Sequence, residues 1–180
     1  IDFSGVDWVF ISLPHFEVKN FAIKALKNNC NLFIEKPMGR NLEECKEIIS
    51  NINNNQVVKV GFNYRFMPGI SKAISDIREK KFGNLISIDM TIGHGNSPGM
   101  EDSWKLNLEK CGGGCILDPG IHLIDLVNFI ADEQVSVLHV NGWSGFWNTN
   151  VEEEAYISLK SRSGIRFNIT SSIVRWRSTF

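Results

Sequence analysis

Three short apolar runs without polar alternation restrict this chain more than any other feature. They are Trp8-Val9-Phe10-Ile11-Ser12-Leu13, Leu32-Phe33-Ile34 and Val57-Val58-Lys59-Val60-Gly61-Phe62. Such runs suit strands buried on both faces, as in a parallel sheet. Parallel neighbours cannot be joined by a tight hairpin and need a crossover, usually a helix. The intervals supply two. Val18, Phe21, Ala22, Ala25 and Leu26 fall on one side of a helical wheel, with Lys19, Asn20, Lys24 and Lys27 opposite. Asn41 opens the second helix, with Glu44 three residues on as in a capping box, and the expected buried stripe is Leu42, Cys45, Ile48, Ile49 and Ile52. Strand, helix, strand, helix, strand predicts a doubly wound α/β unit with right-handed crossovers.

That topology points to a site. In open parallel sheets ligands lie outside the carboxyl ends of the strands. The residues there are Pro14-His15, Glu35-Lys36-Pro37 and Asn63-Tyr64-Arg65. Lys36 admits two readings, a surface lysine paired with Glu35 or a functional cation locked between a carboxylate and a proline.

After Pro68 the helical pattern resumes through Ile70, Ala73, Ile74 and Ile77, with Gly83 as its stop. Ile86, Ile88, Met90 and Ile92 then alternate with polar residues, the mark of a strand with one buried face. Residues 93–110 read as a long loop rich in Gly, Asn and Ser that carries His94, Trp104 and Lys105. Strands are expected over 135–143, 155–160 and 165–174, the last two forming a hairpin across Ser161-Arg162-Ser163-Gly164. Glu152-Glu153-Glu154 reads as the solvated start of a strand.

Between these lies Gly112-Gly113-Gly114-Cys115-Ile116-Leu117-Asp118-Pro119-Gly120-Ile121-His122-Leu123-Ile124-Asp125-Leu126. On one continuous helix running to about Ala131, Asp118, His122 and Asp125 would share a face. A carboxylate one turn from an imidazole can orient a base. Asp118 also fits a plain N-cap, with Pro119 at the first helical position. That second reading leaves His122 and Asp125 on an apolar helix without a role.

Composition excludes some classes. A hydrophobic fraction of 43% with 22% charged residues is ordinary for a globular chain. The net charge is −1 and the only dense basic cluster is Arg78 with Lys80-Lys81, so no nucleic-acid partner is expected. No apolar run reaches the roughly 20 residues of a membrane helix, and no membrane association is expected. Cys30, Cys45, Cys111 and Cys115 lack a zinc spacing. They are read as reduced thiols in a cytoplasmic protein with no metal site.

Four motifs in order, "VDWVFISLP", "FIEKP", "VGFNYRF" and "GGGCILDPGIHLIDL", resemble the glucose–fructose oxidoreductase, inositol dehydrogenase and MocA family over nearly the whole chain. The resemblance implies part of a Rossmann domain over 1–63, then part of an α+β substrate domain over 64–180 with an open, mainly antiparallel sheet. It implies NAD or NADP as cofactor, a sugar or polyol substrate, and a homo-oligomer formed through the substrate-domain sheet. By resemblance Lys36, Asp118 and His122 are the catalytic residues. Leu13, Pro14, His15, Glu35, Lys36 and Pro37 would face the cofactor. Lys36, Asn63, Tyr64, Trp104, Asp118 and His122 would face the substrate. Two alternatives share the same residues, a sugar-sensing relative without activity and an NAD-dependent glycosidase.

The sequence departs from the family pattern twice. Val18 stands where the family usually has a histidine, with His15 nearby, and the Gly-x-Gly-x-x-Gly phosphate loop is absent from these residues. The resemblance thus implies an internal piece that lacks the front half of the nucleotide domain and the end of the substrate domain. The 180-residue stretch alone is expected to show no NAD(H) binding by calorimetry at micromolar concentration, since the pyrophosphate would have no cradle. It is also expected to aggregate through an open sheet edge. Saturable binding by a monodisperse sample would refute both expectations.

Overall fold

A computed structural model describes residues 2–180. The chain forms two compact units, one reaching Phe62 and adding Asp102–Gly113, the other made of Asn63–Glu101 and Gly114–Phe180.

In the first unit β1 (Trp8–Ile11), β2 (Asn31–Ile34) and β3 (Val58–Val60) form a parallel sheet in the order β1-β2-β3. Helices α1 (His15–Lys27) and α2 (Leu42–Ser50) pack on one face, where Ile11, Leu32 and Ile34 meet Val18, Ala22, Ala25, Leu26 and Ile48. The expectation of strands buried on both faces therefore fails for β1. Phe10 is 74% exposed and Trp8 is also exposed, because both helices cover the same face. Phe10 stacks on Phe33 across the bare face instead.

The second helix also departs from its expected stripe. Leu42 and Ile49 are exposed, while Glu44 is buried. Asn41 caps the helix as expected, its side chain accepting from the Glu44 amide at 2.9 Å. The Glu44 carboxylate, however, accepts from the Arg40 amide at 2.8 Å rather than from Asn41, and it pairs with the Arg40 guanidinium. That partner explains how a carboxylate can be buried on this helix.

The second unit holds α3 (Pro68–Arg78), β4 (Ser87–Gly93), α5 (Ile121–Ala131), β5 (Val135–Trp143), β6 (Glu154–Ser161) and β7 (Arg166–Ser172). The sheet order is β4-β7-β6-β5, with β4 parallel to β7 and the other pairs antiparallel. Ile157, Leu159, Phe167 and Ile169 alternate inward against Leu123, Leu126 and Val127 of α5 and Ile74 of α3. Along β5 the residues are mostly exposed, as an edge strand covered on neither face would be.

The expected 93–110 loop is not featureless. It contains short 3₁₀ turns at Met100–Asp102 and Trp104–Leu106, then a one-turn helix α4 (Leu108–Cys111). Asp102–Gly113, expected with the second domain, clusters with the first unit. Taken as one stretch, Leu108–Ala131 is 24 residues long and by length and composition apolar enough to cross a membrane, with half of its most apolar window buried. It is not one helix. Gly112 takes a left-handed φ of 90° after α4, and Asp118 is extended at φ −146° and ψ 104°.

All four cysteines are free. Burial pushes the Glu44 carboxyl up, and hydrogen bonds from the Arg40 side chain and backbone more than offset this, holding it below its ordinary 4.5. A depressed native pKa contributes stability that is complete above the unfolded value and is lost as pH falls through the native one. In the full-length protein Glu44→Gln should therefore cost about 1–3 kcal/mol at pH 7. Urea midpoints for the two proteins should converge towards pH 3, and a gap independent of pH would point to packing alone.

Candidate functional site

Each unit carries its own group of the sequence-predicted residues. In the first, β1 ends at Leu13-Pro14 and α1 begins at His15. His15 is buried, and its Nδ1 lies 2.8 Å from the Cys111 carbonyl oxygen. A carbonyl only accepts, so Nδ1 carries the proton in this bond. Trp104 packs edge-on against His15 at 4.8 Å between centroids and against Phe16 at 6.2 Å. The structure thus groups Trp104, expected on the substrate side, with the cofactor-side residue His15.

Arg40, two residues before α2, fastens the same segment by donating to the Glu109 carbonyl. A Cβ on Gly112 would lie 2.5 Å from the Arg40 carbonyl oxygen, so this approach requires glycine. Lys36 follows β2 through a cis Lys36–Pro37 peptide, with Pro37 fully buried beneath it. The Lys36 amide donates to the Glu35 carboxylate at 3.2 Å. Glu35 in turn sits against Gly61 at the end of β3, where a Cβ would come within 3.0 Å of its Oε1.

In the second unit Tyr64, Asp118 and His122 come together. Asn63 and Tyr64 lie in a 3₁₀ turn, Asn63–Phe66, with Asn63 exposed. The Tyr64 ring stacks on the His122 imidazole at 4.0 Å and 7°, and Phe180 meets its other side edge-on at 4.8 Å. Burial raises the Tyr64 phenol above its ordinary pKa, and the negative charge of Asp118 adds to that rise. His122 is buried in the first turn of α5.

The expected continuous helix through Asp118, His122 and Asp125 is corrected here. Asp118 belongs to a wide turn, Ile116–Gly120, with a cis Asp118–Pro119 peptide, and only His122 and Asp125 lie on α5. Proline at 119 cannot supply the amide a regular helix needs there, so the chain turns before it coils. Asp118 therefore reaches the Tyr64–His122 pair from a turn and is not an N-cap. Asp125 points elsewhere, into a bidentate pair with Arg65, whose guanidinium also covers the Phe129 ring at 4.5 Å.

Sequence reasoning missed the glutamates. Glu153 is fully buried, accepting from the amides of Phe146 at 2.8 Å and Trp147 at 2.9 Å. Glu152 accepts from Gly114 and Ile116 at 3.0 Å each through Oε1, and its carbonyl accepts from Cys115 at 2.8 Å. No local signal separates such residues from a solvated charge run, because the amides that Glu152 accepts from lie 36–38 residues away and those of Glu153 arrive through a loop without periodic pattern.

Comparison with known proteins identifies two family domains along the chain. A profile described as "Oxidoreductase family, NAD-binding Rossmann fold" matches residues 2–64, and one described as "GFO/IDH/MocA C-terminal domain" matches residues 70–179. Levoglucosan dehydrogenase of Pseudarthrobacter phenanthrenivorans is 29% identical over 136 residues, covering 74% of this chain and 35% of that protein. An NAD⁺-dependent scyllo-inositol 2-dehydrogenase of Bacillus subtilis is 27% identical, covering 77% of this chain and 39% of its own length. The chain thus spans well under half of these two relatives. An inositol dehydrogenase homolog from Azotobacter vinelandii, solved with NAD⁺, superposes with a TM-score of 0.87 at 23% identity, over 97% of this chain and 48% of that one. That likeness bears on the fold.

Asp125 should act on stability. Asp125→Ala leaves Arg65 without its carboxylate partner and should cost about 1–3 kcal/mol, the range for losing hydrogen bonds to a charged group, because the part-exposed guanidinium left behind can still reach water. Thermal melts of the full-length protein would read this, and an unchanged melting temperature would show the pair to be dispensable.

Proposed function

The chain belongs to the GFO/IDH/MocA oxidoreductase family, and on that premise we propose that it serves an NAD(P)-dependent enzyme acting on a hydroxyl-bearing carbon of a sugar, polyol or sugar nucleotide. The observation that carries this reading is the cluster of Tyr64, Asp118 and His122, with a buried imidazole stacked on a phenol inside the field of a carboxylate.

The first unit's residues fit the nicotinamide half of a dinucleotide site. Its parallel strands end together at Leu13-Pro14-His15, at Glu35-Lys36-Pro37 and at Gly61, where open parallel sheets hold nucleotides. Leu13 offers an exposed apolar lip there, and His15 is held by a backbone carbonyl. Leu13, Pro14, His15, Glu35, Lys36 and Pro37 would hold the cofactor. When bound, it supplies the carbon that accepts or returns the hydride.

The chain's own residues handle the proton. Oxidation of an alcohol requires its hydroxyl proton to leave with the hydride, and His122 is the base that takes it. Asp118 orients the imidazole or a neighbouring substrate hydroxyl. Lys36, assigned by its Glu-Lys-Pro motif, stabilises negative charge developing on the substrate oxygen. Asn63, Tyr64 and Trp104 remain candidates for substrate contact. The same reading includes a second copy of the chain covering the exposed side of the second unit's sheet, where Trp143 and Tyr156 are exposed. Four free thiols suit a cytoplasmic setting.

Mutant kinetics in the full-length enzyme test the roles. His122→Ala should lower kcat by roughly 10²- to 10⁴-fold with NAD(H) affinity nearly unchanged. Lys36→Ala should lower kcat and also weaken substrate binding. Asp118→Asn should show a milder His122 defect and a shifted pH–rate profile. A His122→Ala enzyme with near-normal kcat beside a dead Asp125→Ala enzyme would put the base one turn too early. Product analysis separates a dehydrogenase from a glycosidase, because only the first accumulates NAD(P)H.

A further inference from the structure

A glycine run that opens onto a helix is the usual signature of a backbone anion cradle, since successive amides point at one place and the helix dipole favours negative charge there. Gly112-Gly113-Gly114 followed by α5 has that sequence form. The structure fills the cradle from within. The amides of three consecutive residues, Gly114, Cys115 and Ile116, all end on Glu152. Its Oε1 accepts the first and third at 3.0 Å, and its carbonyl oxygen accepts the second at 2.8 Å.

The contact is close enough to exclude any side chain at 114. A Cβ there would fall 1.9 Å from the Glu152 carbonyl oxygen. Downstream, the amides of Leu117 and Asp118 return to the Gly114 carbonyl at 3.0 and 2.9 Å, and the Gly120 amide returns to Cys115 at 2.8 Å. Ser171 of β7 clamps the same Cys115 carbonyl at 2.6 Å. Asp118 and His122 thus hang from a turn whose first three amides are tied to one glutamate.

We infer that Glu152 is a positioning residue for the base, holding the Gly114–Ile116 amides so that Asp118 and His122 keep their places beside Tyr64. This rests on the proposed function for its catalytic consequence but not for its geometry. Glu152 touches no reacting group. It acts through the turn, and what the turn needs from it is an acceptor oxygen at the Oε1 position rather than a negative charge. Glutamine supplies that oxygen and alanine does not.

The test compares Glu152→Gln, Glu152→Ala and a matched destabilised control, Ile157→Val, in the full-length protein well below its melting temperature. Glu152→Ala should lower kcat by about 10- to 100-fold with NAD(H) affinity unchanged, Glu152→Gln should stay within about threefold of wild type, and Ile157→Val should keep normal kcat. Two readouts need no activity. Hydrogen exchange at Gly114 and Ile116 should be slow in the wild type and the glutamine variant and fast in the alanine variant, with Cys115, whose acceptor is the Glu152 backbone carbonyl that alanine keeps, as the internal reference. The His122 ring protons should carry an upfield shift from the stacked Tyr64 ring that shrinks in the alanine variant only. Exposed amides with an unmoved His122 signal would overturn the positioning role, as would a kcat loss matched by Ile157→Val. If no variant, wild type included, turned over any sugar or polyol, the proposed function would fall, while exchange and ring shift would still decide the role of Glu152.

Discussion

The backbone at Gly114 runs against the Glu152 carbonyl at a distance no side chain permits, and much of the second unit's chemistry hangs from that approach. A missing Cβ lets the chain come in, three amides dock on one residue, and the turn that follows has its first half fixed before Pro119 ends any prospect of a regular helix. Only then does α5 begin, with His122 in its first turn. The base candidate is therefore placed by a contact between segments far apart in sequence.

The first unit shows the same economy of means. Asp102–Gly113 is bound by His15 through the Cys111 carbonyl and by Arg40 through the Glu109 carbonyl, both of them backbone acceptors. Arg40 is itself held by buried Glu44. A charged side chain inside a small unit is costly unless paired, and here the pair also serves as the peg for a distant segment. The positive φ at Gly112 gives that segment its exit after α4.

Particular residues show where sequence reading reached and where it stopped. Ile48, Ala22 and Leu32 lie in the core as periodicity indicates, because an apolar side chain needs only a buried face and local period assigns it one. Asp118 and His122 come close to Tyr64, although the reason given for their neighbourhood, one continuous helix, is not the one the chain uses. Within the acidic run at 152–154, Glu153 is buried against the pattern, because burial of a carboxylate depends on which amides arrive beside it, and periodicity carries no trace of that.

Local pattern by itself determined the order of strands and helices, the parallel character of the first sheet and the alternation of the second. It also picked out Lys36, Asp118 and His122 as chemically unusual residues, since an ionisable group among apolar neighbours stands out wherever the chain takes it. Tertiary structure alone decided which face of β1 is covered, to which unit Asp102–Gly113 belongs, that Asp125 is taken by Arg65, and that Glu152 holds the turn before α5. The physical reason is that each depends on segments meeting that lie far apart in the chain. Hydrophobic period is written within a dozen residues, whereas a hydrogen bond or ion pair between segments many residues apart exists only once the chain has closed the intervening loop.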